Sequence, residues 1–575
     1  MSSVAPFVVF YAGAVLLAVA PAPLRRLLAL LVPVVGALNL YGLPDGTGAA
    51  FELFDYTLVL VEMDRLSSLF GYLFHLAAFL GFIYAFDVRD RMQQVSAMLY
   101  AGSALGAVFA GDLLTLFVFW EMLALTSVFL VLARRTERSF GAAMRYLVIQ
   151  VTSGVLLLAG ALAIIADTGD ARFTRMTLDG LGPWLIFLAI GIKCCFPGLH
   201  NWLTDAYPES TPAGTVFLSA FTTKVAVYAL ARGFPGTELL VYIGATMAMF
   251  PIFFAVIEND LRKVLAFSTN NQIGFMVCAV GVGTPLAING AVAHAFTHIF
   301  FKGLLFMSMG AVMYRAGTTK ASELGGIYRT MPLTALFCLI GAASISAFPL
   351  FSGFIAKSMT MSAVGQGGYV LVWCMLLFAS AGVLEHSGIK IPYFAFFSHD
   401  SGKRPQEAPF SMLLAMGGAA FICIATGIPG LGGTEWLYSI LPYSDEALDY
   451  LAHDMWTADH VLTQLQLLIL AMFAFIVLKR IGVYPPEKPG VILDTDWLIR
   501  RPGYGLVSWA DAVWARLGPA MDRIRARIAS SVFDQLTFAF SPAGMLSRSG
   551  LASATSIWSA VILGLVLAVS ILSAL

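Results

Sequence analysis

"AHAFTHIFFKGLLFMSMG", residues 293–310, sets two histidines and a lysine inside an otherwise apolar run. His294, His298 and Lys302 fall at four-residue spacing, so on an α-helix they share one face, about 6 Å apart along the axis. Their polar heads then form a stripe about 12 Å long. The run is apolar enough for lipid, and ionisable groups inside a membrane helix are expensive unless they face a bundle interior or a hydrated path. The fold class therefore turns on whether the rest of the chain supplies such a bundle.

It does. The chain has 575 residues, of which 59% are hydrophobic and 12% charged, whereas soluble domains are about 25% charged. Apolar runs of about 17 to 25 residues recur along the whole length. They predict an all-α polytopic membrane protein with about sixteen spans. These fall at 4–20, 27–43, 66–86, 93–110, 112–133, 143–167, 183–202, 211–232, 237–256, 264–283, 286–314, 331–364, 368–386, 411–428, 461–479 and 553–575. The segment 331–364 is too long for one span and contains Pro349 and Gly353, while 183–202 contains Pro197-Gly198. Each is expected to be an interrupted helix, because proline cannot continue the hydrogen-bond ladder.

Composition also excludes several classes. Lys plus Arg and Asp plus Glu number 34 each, so there is no electrostatic case for nucleic acid. The cysteines at 194, 195, 278, 338, 374 and 423 lie in apolar segments without a CxxC pair, which argues against a cluster or a disulfide framework. The first apolar run reads as a span rather than a cleaved leader.

Orientation follows from Lys and Arg in short loops. One set of alternating loops carries Arg25-Arg26, Arg89/Arg91, Arg134-Arg135/Arg138, Arg262-Lys263, Arg315/Lys320/Arg329 and Lys390/Lys403/Arg404. The opposite set is acidic or neutral, except for Arg172 and Arg175. The basic-loop face is expected in the cytoplasm, with the N-terminus outside a plasma (inner cell) membrane. Residues 480–505 are polar and rich in Pro and Gly. Beyond them Leu506, Trp509, Val513, Leu517, Met521, Ile524, Ile528 and Val532 repeat at helical spacing, with Arg516, Arg523, Arg525 and Arg527 between them. That pattern predicts an amphipathic helix in the cytoplasmic interface, bent near Gly518-Pro519.

Four more ionisable residues sit inside apolar runs: Glu121, Lys193, Lys224 and Lys357. Each has a bland reading. A lysine can snorkel or make a structural ion pair, and a glutamate can simply hold two helices together. His294 and His298 have zinc spacing, but no Asp, Glu or Cys lies between Cys278 and Glu323 to complete a local site. No metal and no cofactor is expected. The chemistry suits a proton relay instead. Histidine loads and unloads protons near neutral pH. Burial disfavours a charged ammonium and a nearby carboxylate favours it, so a Glu–Lys pair that separates and rejoins changes the lysine's hold on its proton. Broken helices in two repeats often flank a transport path.

These residues resemble a known family. "HAFTHIFFKGLLF" (294–306), "ENDLRKVLAFSTNNQIGFM" (258–276), "FWEMLALTS" (119–127), "LHNWLTDAYPESTPAGTVFLSAFTTKVAVYAL" (199–230) and "FPLFSGFIAK" (348–357) look like the ordered motifs of antiporter-like membrane subunits. The family comprises Mrp-type multisubunit cation/proton antiporter subunits and the proton-pumping antiporter-like subunits of respiratory complex I. "TVFLSAFTTKVAVYALARGFPG" (215–236) and "GIKIPYFAFF" (388–397) lean the reading to the Mrp D-type subunit. The resemblance covers about residues 60–480. The extension 480–575 departs from an ordinary D-type subunit and resembles the lateral helix and final anchor of the largest complex I antiporter-like subunit.

The resemblance implies two inverted five-helix repeats, each with one broken helix. The resulting organisation is N-terminal helices over 1–92, a first repeat over 93–232 and a second over 237–386, followed by additional helices over 387–480. An interfacial segment with the amphipathic helix over 481–552 and an anchor helix over 553–575 complete it. It also implies roles: Glu121 tunes Lys193 of the first broken helix, Lys224 and the His294/His298/Lys302 stripe form the central connection, and Lys357 is the terminal residue of the second. The implied function is proton movement along this Glu/Lys/His axis, exchanged for Na⁺ by a multisubunit antiporter, with other subunits and the lipid bilayer as partners. A redox-linked complex (complex I-type quinone oxidoreductase, membrane hydrogenase or bicarbonate-uptake complex) and a non-transporting scaffold are the alternatives. The chain carries no dinucleotide fingerprint, so no enzyme activity of its own is expected.

Overall fold

The computed structural model describes residues 4–540 except 45, 47, 54, 55, 489, 491, 496 and 498, together with 558, 559, 561–564 and 566. Residues 1–494 form one compact unit and 495–575 a second.

In the first unit the N-terminal helices are α1 (Pro6–Val19), α2 (Ala22–Tyr41) and α3 (Arg65–Tyr84). The bundle continues with α4 (Arg91–Phe109), α5 (Leu113–Leu132) and α6 (Glu137–Thr168). Side-chain caps start many of the helices. Asp64 and Thr136 form capping boxes with Ser67 and Ser139, and Asp90 and Asp112 accept first-turn amides, as capping rules expect. Gly169 ends α6 in the left-handed conformation at φ 72°, which only glycine adopts without strain.

The next helices are interrupted. α7 (Leu181–Lys193) is followed by a break and then α8 (Asn201–Glu209). The predicted span 211–232 divides at Phe221 into α9 (Pro212–Ala220) and α10 (Thr222–Gly233). Then come α11 (Leu239–Ile257), α12 (Leu261–Val282) and α13 (Pro285–Ala316). The predicted segment 331–364 is two helices, α14 (Pro332–Ile345) and α15 (Ser352–Gln366). α16 (Val370–Val383) continues as helix wound partly in π fashion to Phe397. α17 (Phe410–Ala425), two short helices at Gly433–Ser439 and Ser444–His453, and α18 (Ala458–Arg480) complete the bundle.

Ten helices among the described residues are long and apolar enough to cross a membrane, counting Pro212–Gly233 as one, and four shorter apolar helices accompany them. Their apolar exteriors suit lipid, whereas α12 and α13 are sheathed by other helices. The windows that qualify α12 and α13 as spans are 100% and 94% buried. The ionisable stripe thus lies at the centre of protein rather than against lipid.

Two expectations need correction. The predicted loop 44–64 holds an antiparallel hairpin, Gly48–Leu53 with Tyr56–Glu62, so the chain is not wholly α. Val59 N–H donates to the Asp112 carboxylate at 2.6 Å, which ties the hairpin to the cap of α5. Lys390 and Arg262, read as loop charges, are buried at 0% and 1% exposure, because each bonds a cluster of main-chain carbonyls.

In the second unit a π turn at Ile499–Gly503 leads into one helix, Tyr504–Phe540, which runs through Pro519. It contains the predicted amphipathic segment 506–532. The predicted anchor 553–575 lies largely outside the described residues.

Candidate functional site

The two predicted breaks share one local backbone. After α7, Cys195 takes φ 64° and Gly198 φ 81°. Cys195 N–H donates to Ile192 O at 3.1 Å and Phe196 N–H to Gly191 O at 2.9 Å. After α14, Ala347 takes φ 59° and Leu350 φ 72°. Ala347 N–H donates to Ser344 O at 3.1 Å and Phe348 N–H to Ala343 O at 3.0 Å. Both are Schellman closures, and in each Phe-Pro follows, which bars any continuation of the helix. Non-glycine residues in the left-handed region cost about 1 kcal/mol or more. Paying that three times, at Cys195, Ala347 and Leu350, is unexpected for mere connections.

Lys193 is the last residue of α7. Its ammonium donates to the Trp120 carbonyl of α5 at 2.7 Å and stands 4.6 Å from the Trp120 ring centroid. Trp120 is held by its indole N–H on Ser153 at 2.9 Å, and Ser153 donates to Ala189 O at 2.7 Å. Glu121 is the carboxylate whose charge acts on Lys193, without a direct ion pair among the described residues. Its Oε1 is buried without a hydrogen bond and lies where a Cβ on Gly154 of α6 would fall.

Lys224 donates to Ser219 O at 2.7 Å and to the Thr223 hydroxyl at 3.2 Å. The interruption at Phe221 leaves that carbonyl without its helical partner. Lys357 of α15 donates to Ile345 O at 2.7 Å, the last carbonyl of α14, and stands 5.3 Å from the Phe275 ring centroid.

On α13, His294 Nε2 is 3.1 Å from Gln272 Oε1 of α12. Lys302 donates to the Ser268 hydroxyl of α12 at 2.7 Å. Neither nitrogen of His298 has a hydrogen-bond partner, and its ring is 6.3 Å from that of His294. The charges of Lys224, Lys302 and Lys357 all act on both histidines. The structure therefore brings Lys224, His294, His298, Lys302 and Lys357 into one buried group, with Glu121 and Lys193 as a neighbouring pair.

A cavity of about 640 Å³ adjoins Lys357. Its lining includes Ser358, Tyr450, Asp454, Asp459 and His460. Asp454 and Asp459 are exposed, so the cavity reaches the acidic surface. His460 Nε2 is 2.9 Å from the Ser358 hydroxyl.

The sequence reading missed Ser268 and Gln272, whose only signal is their place opposite the stripe on α12. It also missed Glu385, His386 and Ser387, which follow an apolar run but coincide with its predicted end. Lys390 donates to Val256 O at 2.6 Å and Glu258 O at 2.8 Å, and pairs with Glu487 at 3.1 Å. Burial pushes the Glu487 carboxyl up from its ordinary range, against the pull of Lys390.

Interrupted apolar helices around buried ionisable groups are the architecture of a membrane transport protein rather than of a soluble enzyme. Residues 110–384 match the NADH:quinone oxidoreductase/Mrp antiporter transmembrane family. The chain is 27% identical over 435 residues to hydrogenase-4 component B of Escherichia coli, covering 67% of this chain and 64% of that protein. It is 30% identical over 323 residues to the D-type subunit of the Na⁺/H⁺ antiporter of Alkalihalophilus pseudofirmus, covering 52% and 65%. It thus spans just under two thirds of those relatives. A chain in the structure of an archaeal membrane-bound sulfane sulfur reductase superposes with a TM-score of 0.69 at 22% identity, covering 98% of this chain and 99% of that one.

Proposed function

We propose that this chain is a proton-translocating membrane subunit of a multisubunit monovalent cation (Na⁺)/proton antiporter. The observation that carries the reading is the buried group itself. Five ionisable residues on α10, α13 and α15 lie together, two of their lysines, Lys224 and Lys357, bond main-chain carbonyls at helix interruptions, and Lys193 beside them bonds the Trp120 carbonyl. Such carbonyls are weak, exchangeable partners compared with a carboxylate, so a lysine can leave them when its proton load changes. Protons move along Glu121, Lys193, Lys224, His298, His294, Lys302 and Lys357. Glu121 stabilises the charged form of Lys193, and its approach or withdrawal gates loading of the axis. The two Schellman-closed breaks support a pair of inverted repeats, 93–232 and 237–386. The basic-loop face is cytoplasmic in this reading.

The match along 98% of the chain to a subunit of a respiratory complex favours a second reading, in which the same axis is driven by redox partner subunits. One experiment separates the two. In inverted vesicles containing the complex, a Na⁺ pulse without electron donor should generate a ΔpH if the chain serves an antiporter. A ΔpH that appears only with an electron donor would assign it to a redox-driven pump. Absence of both would sink the translocation reading.

A further inference from the structure

We propose that the π-wound stretch after α16 carries a side branch of the proton path, in which Ser268, Ser387 and His386 join Lys302 to a mouth formed by Glu385, Lys390 and Glu487 on the basic-loop face. The branch rests on the translocation reading and adds residues to it.

The hydroxyls are already in line. Lys302 Nζ is 2.7 Å from Ser268 Oγ, and Ser387 Oγ is 2.7 Å from the same oxygen. Ser268, Ser387 and His386 are all fully buried. Among the described residues the His386 ring meets no side-chain hydrogen-bond partner, and its polar neighbour is the Gly382 main chain. Leaving a buried polar group unsatisfied costs about 1–3 kcal/mol, and one loose main-chain neighbour leaves the second ring nitrogen unmet, so an apolar side chain would serve better if filling space were the task. π winding changes which side chains share a face and is common at functional positions. Here residues 384–389 and 393–397 are so wound, and His386, Ser387 and Lys390 all turn inward.

The charges around His386 are those of Lys302, Lys390 and Lys357. Glu385, beside it in sequence, has both carboxylate oxygens buried, with the Tyr484 hydroxyl as their polar neighbour. Tyr484, Lys390 and Glu487 act on it. Glu487 lies between exposed Pro486 and Lys488, and Lys263 pairs with Glu258 at 3.1 Å close by, so the mouth is on the face of the basic loops. Lys390 is the anchor here. Its ammonium is committed to carbonyls at the end of α11 and to Glu487, which leaves His386 and Glu385 as the groups able to change protonation.

The transfer balances without a co-reactant. Ser387, which donates to Ser268 at rest, first turns its O–H toward His386. The Lys302 ammonium then gives a proton to the Ser268 oxygen as the Ser268 hydroxyl passes its own proton to the Ser387 oxygen. Ser387 in turn protonates His386. Lys302 is left as the neutral amine, His386 as imidazolium, and both hydroxyls are regenerated in rotated form. His386 then discharges to the Glu385 carboxylate, and the same steps in reverse load the axis.

The test uses the full chain in its complex, in inverted vesicles, reading the initial rate of ΔpH formation. His386→Leu and His386→Gln should each lower the rate about tenfold at wild-type levels of assembled complex, and should flatten its dependence on pH at the basic-loop face. Ser387→Ala should lower it about threefold, with Ser387→Thr restoring it, because only the hydroxyl is needed. Rates for the assembled His386 variants within about twofold of wild type, with an unchanged pH profile, overturn the branch. If the His386 variants fail to assemble, Ser387→Ala decides: an unchanged rate overturns the proposal and a loss rescued by threonine supports it. Failure of the wild-type vesicles to form any ΔpH would instead refute the translocation reading.

Discussion

The two helix breaks have the same backbone and opposite surroundings. At both Cys195–Leu199 and Ala347–Phe351 a Schellman closure is followed by Phe-Pro and a second left-handed residue. Yet Lys193 ends the helix before its break, fully buried beside Trp120, with the half-buried Glu121 acting on it. Lys357 lies on the helix after its break, beside a cavity that reaches exposed aspartates, with a Phe275 ring nearby. No carboxylate acts on Lys357 among the described residues. The difference teaches that one scaffold serves two electrical tasks. The first break offers a carboxylate handle on a fully buried lysine, and the second offers an open cavity without a handle.

The harshest test removes the lysines themselves. Lys193→Ala and Lys357→Ala should each reduce ion-driven ΔpH formation in vesicles to background while the complex still assembles. Lys193→Arg should also fail, since arginine does not release its proton. Normal exchange in either alanine variant would leave that break a structural feature and collapse the comparison.

Next in size is the handle. Glu121→Gln is nearly isosteric, so folding should be spared while transport falls close to background. A carboxylate favours the charged lysine and burial the neutral one, each pK unit being worth about 1.4 kcal/mol. Glu121→Asp should retain partial rate, because charge remains but reach shortens. The double variant Glu121→Gln/Lys193→Ala should transport no worse than either single variant. Additive losses would mean that Glu121 acts elsewhere than through Lys193.

A milder perturbation asks whether the handle must sit where it does. A Cβ on Gly154 would fall on the Glu121 carboxylate, a side-chain end able to move. Gly154→Ala should therefore lower the rate about three- to tenfold at unchanged thermal stability, resembling Glu121→Asp. At the second break the neighbour is backbone. A Cβ on Gly353 would fall on the Ser344 carbonyl, so Gly353→Ala should lower the melting temperature of the detergent-solubilised complex by several degrees, for about 1–3 kcal/mol of overpacking. A rate defect without loss of stability at Gly353, or the reverse at Gly154, would exchange the two roles.

Both breaks were legible in the sequence because proline is a local signal: Pro197 and Pro349 state where the ladder stops. The ionisable stripe was legible because charge inside an apolar run has few innocent explanations. The interruption at Phe221 was not, since neither proline nor glycine marks it. It appears only with tertiary packing, where Lys224 takes the Ser219 carbonyl that the interruption frees. The hairpin escaped although Thr57, Val59 and Val61 alternate, because a polar loop was expected between spans. Lys390 was misread for a related reason. Charge at the end of an apolar run looks the same whether it meets water or the carbonyls of a neighbouring helix. The partners of the stripe, Ser268 and Gln272, are ordinary residues until α12 and α13 are laid side by side.

The smallest expected effect concerns the mouth of the Lys357 cavity, and it separates field from contact. Asp454 and Asp459 line that cavity from the surface. Neither forms an ion pair with Lys357 among the described residues, so each acts on the path only by drawing protons toward the opening. Such attraction between exposed groups is screened beyond about 8 Å at physiological ionic strength. The pair Asp454→Asn/Asp459→Asn should therefore lower the initial rate about twofold in low-salt vesicles and by nothing measurable at about 1 M salt, where the Debye length is near 3 Å. Glu121→Gln should behave differently. Only one of its carboxylate oxygens is buried, beside Gly154, but the lysine it acts on is fully buried, and such charges are screened less, so its defect should change less with salt than that of the aspartate pair. A salt-independent loss in the aspartate pair would make those residues part of the conducting chain. A loss at Glu121 as salt-dependent as that of the aspartate pair would mean that its charge acts through solvent and would remove the contrast between the two breaks.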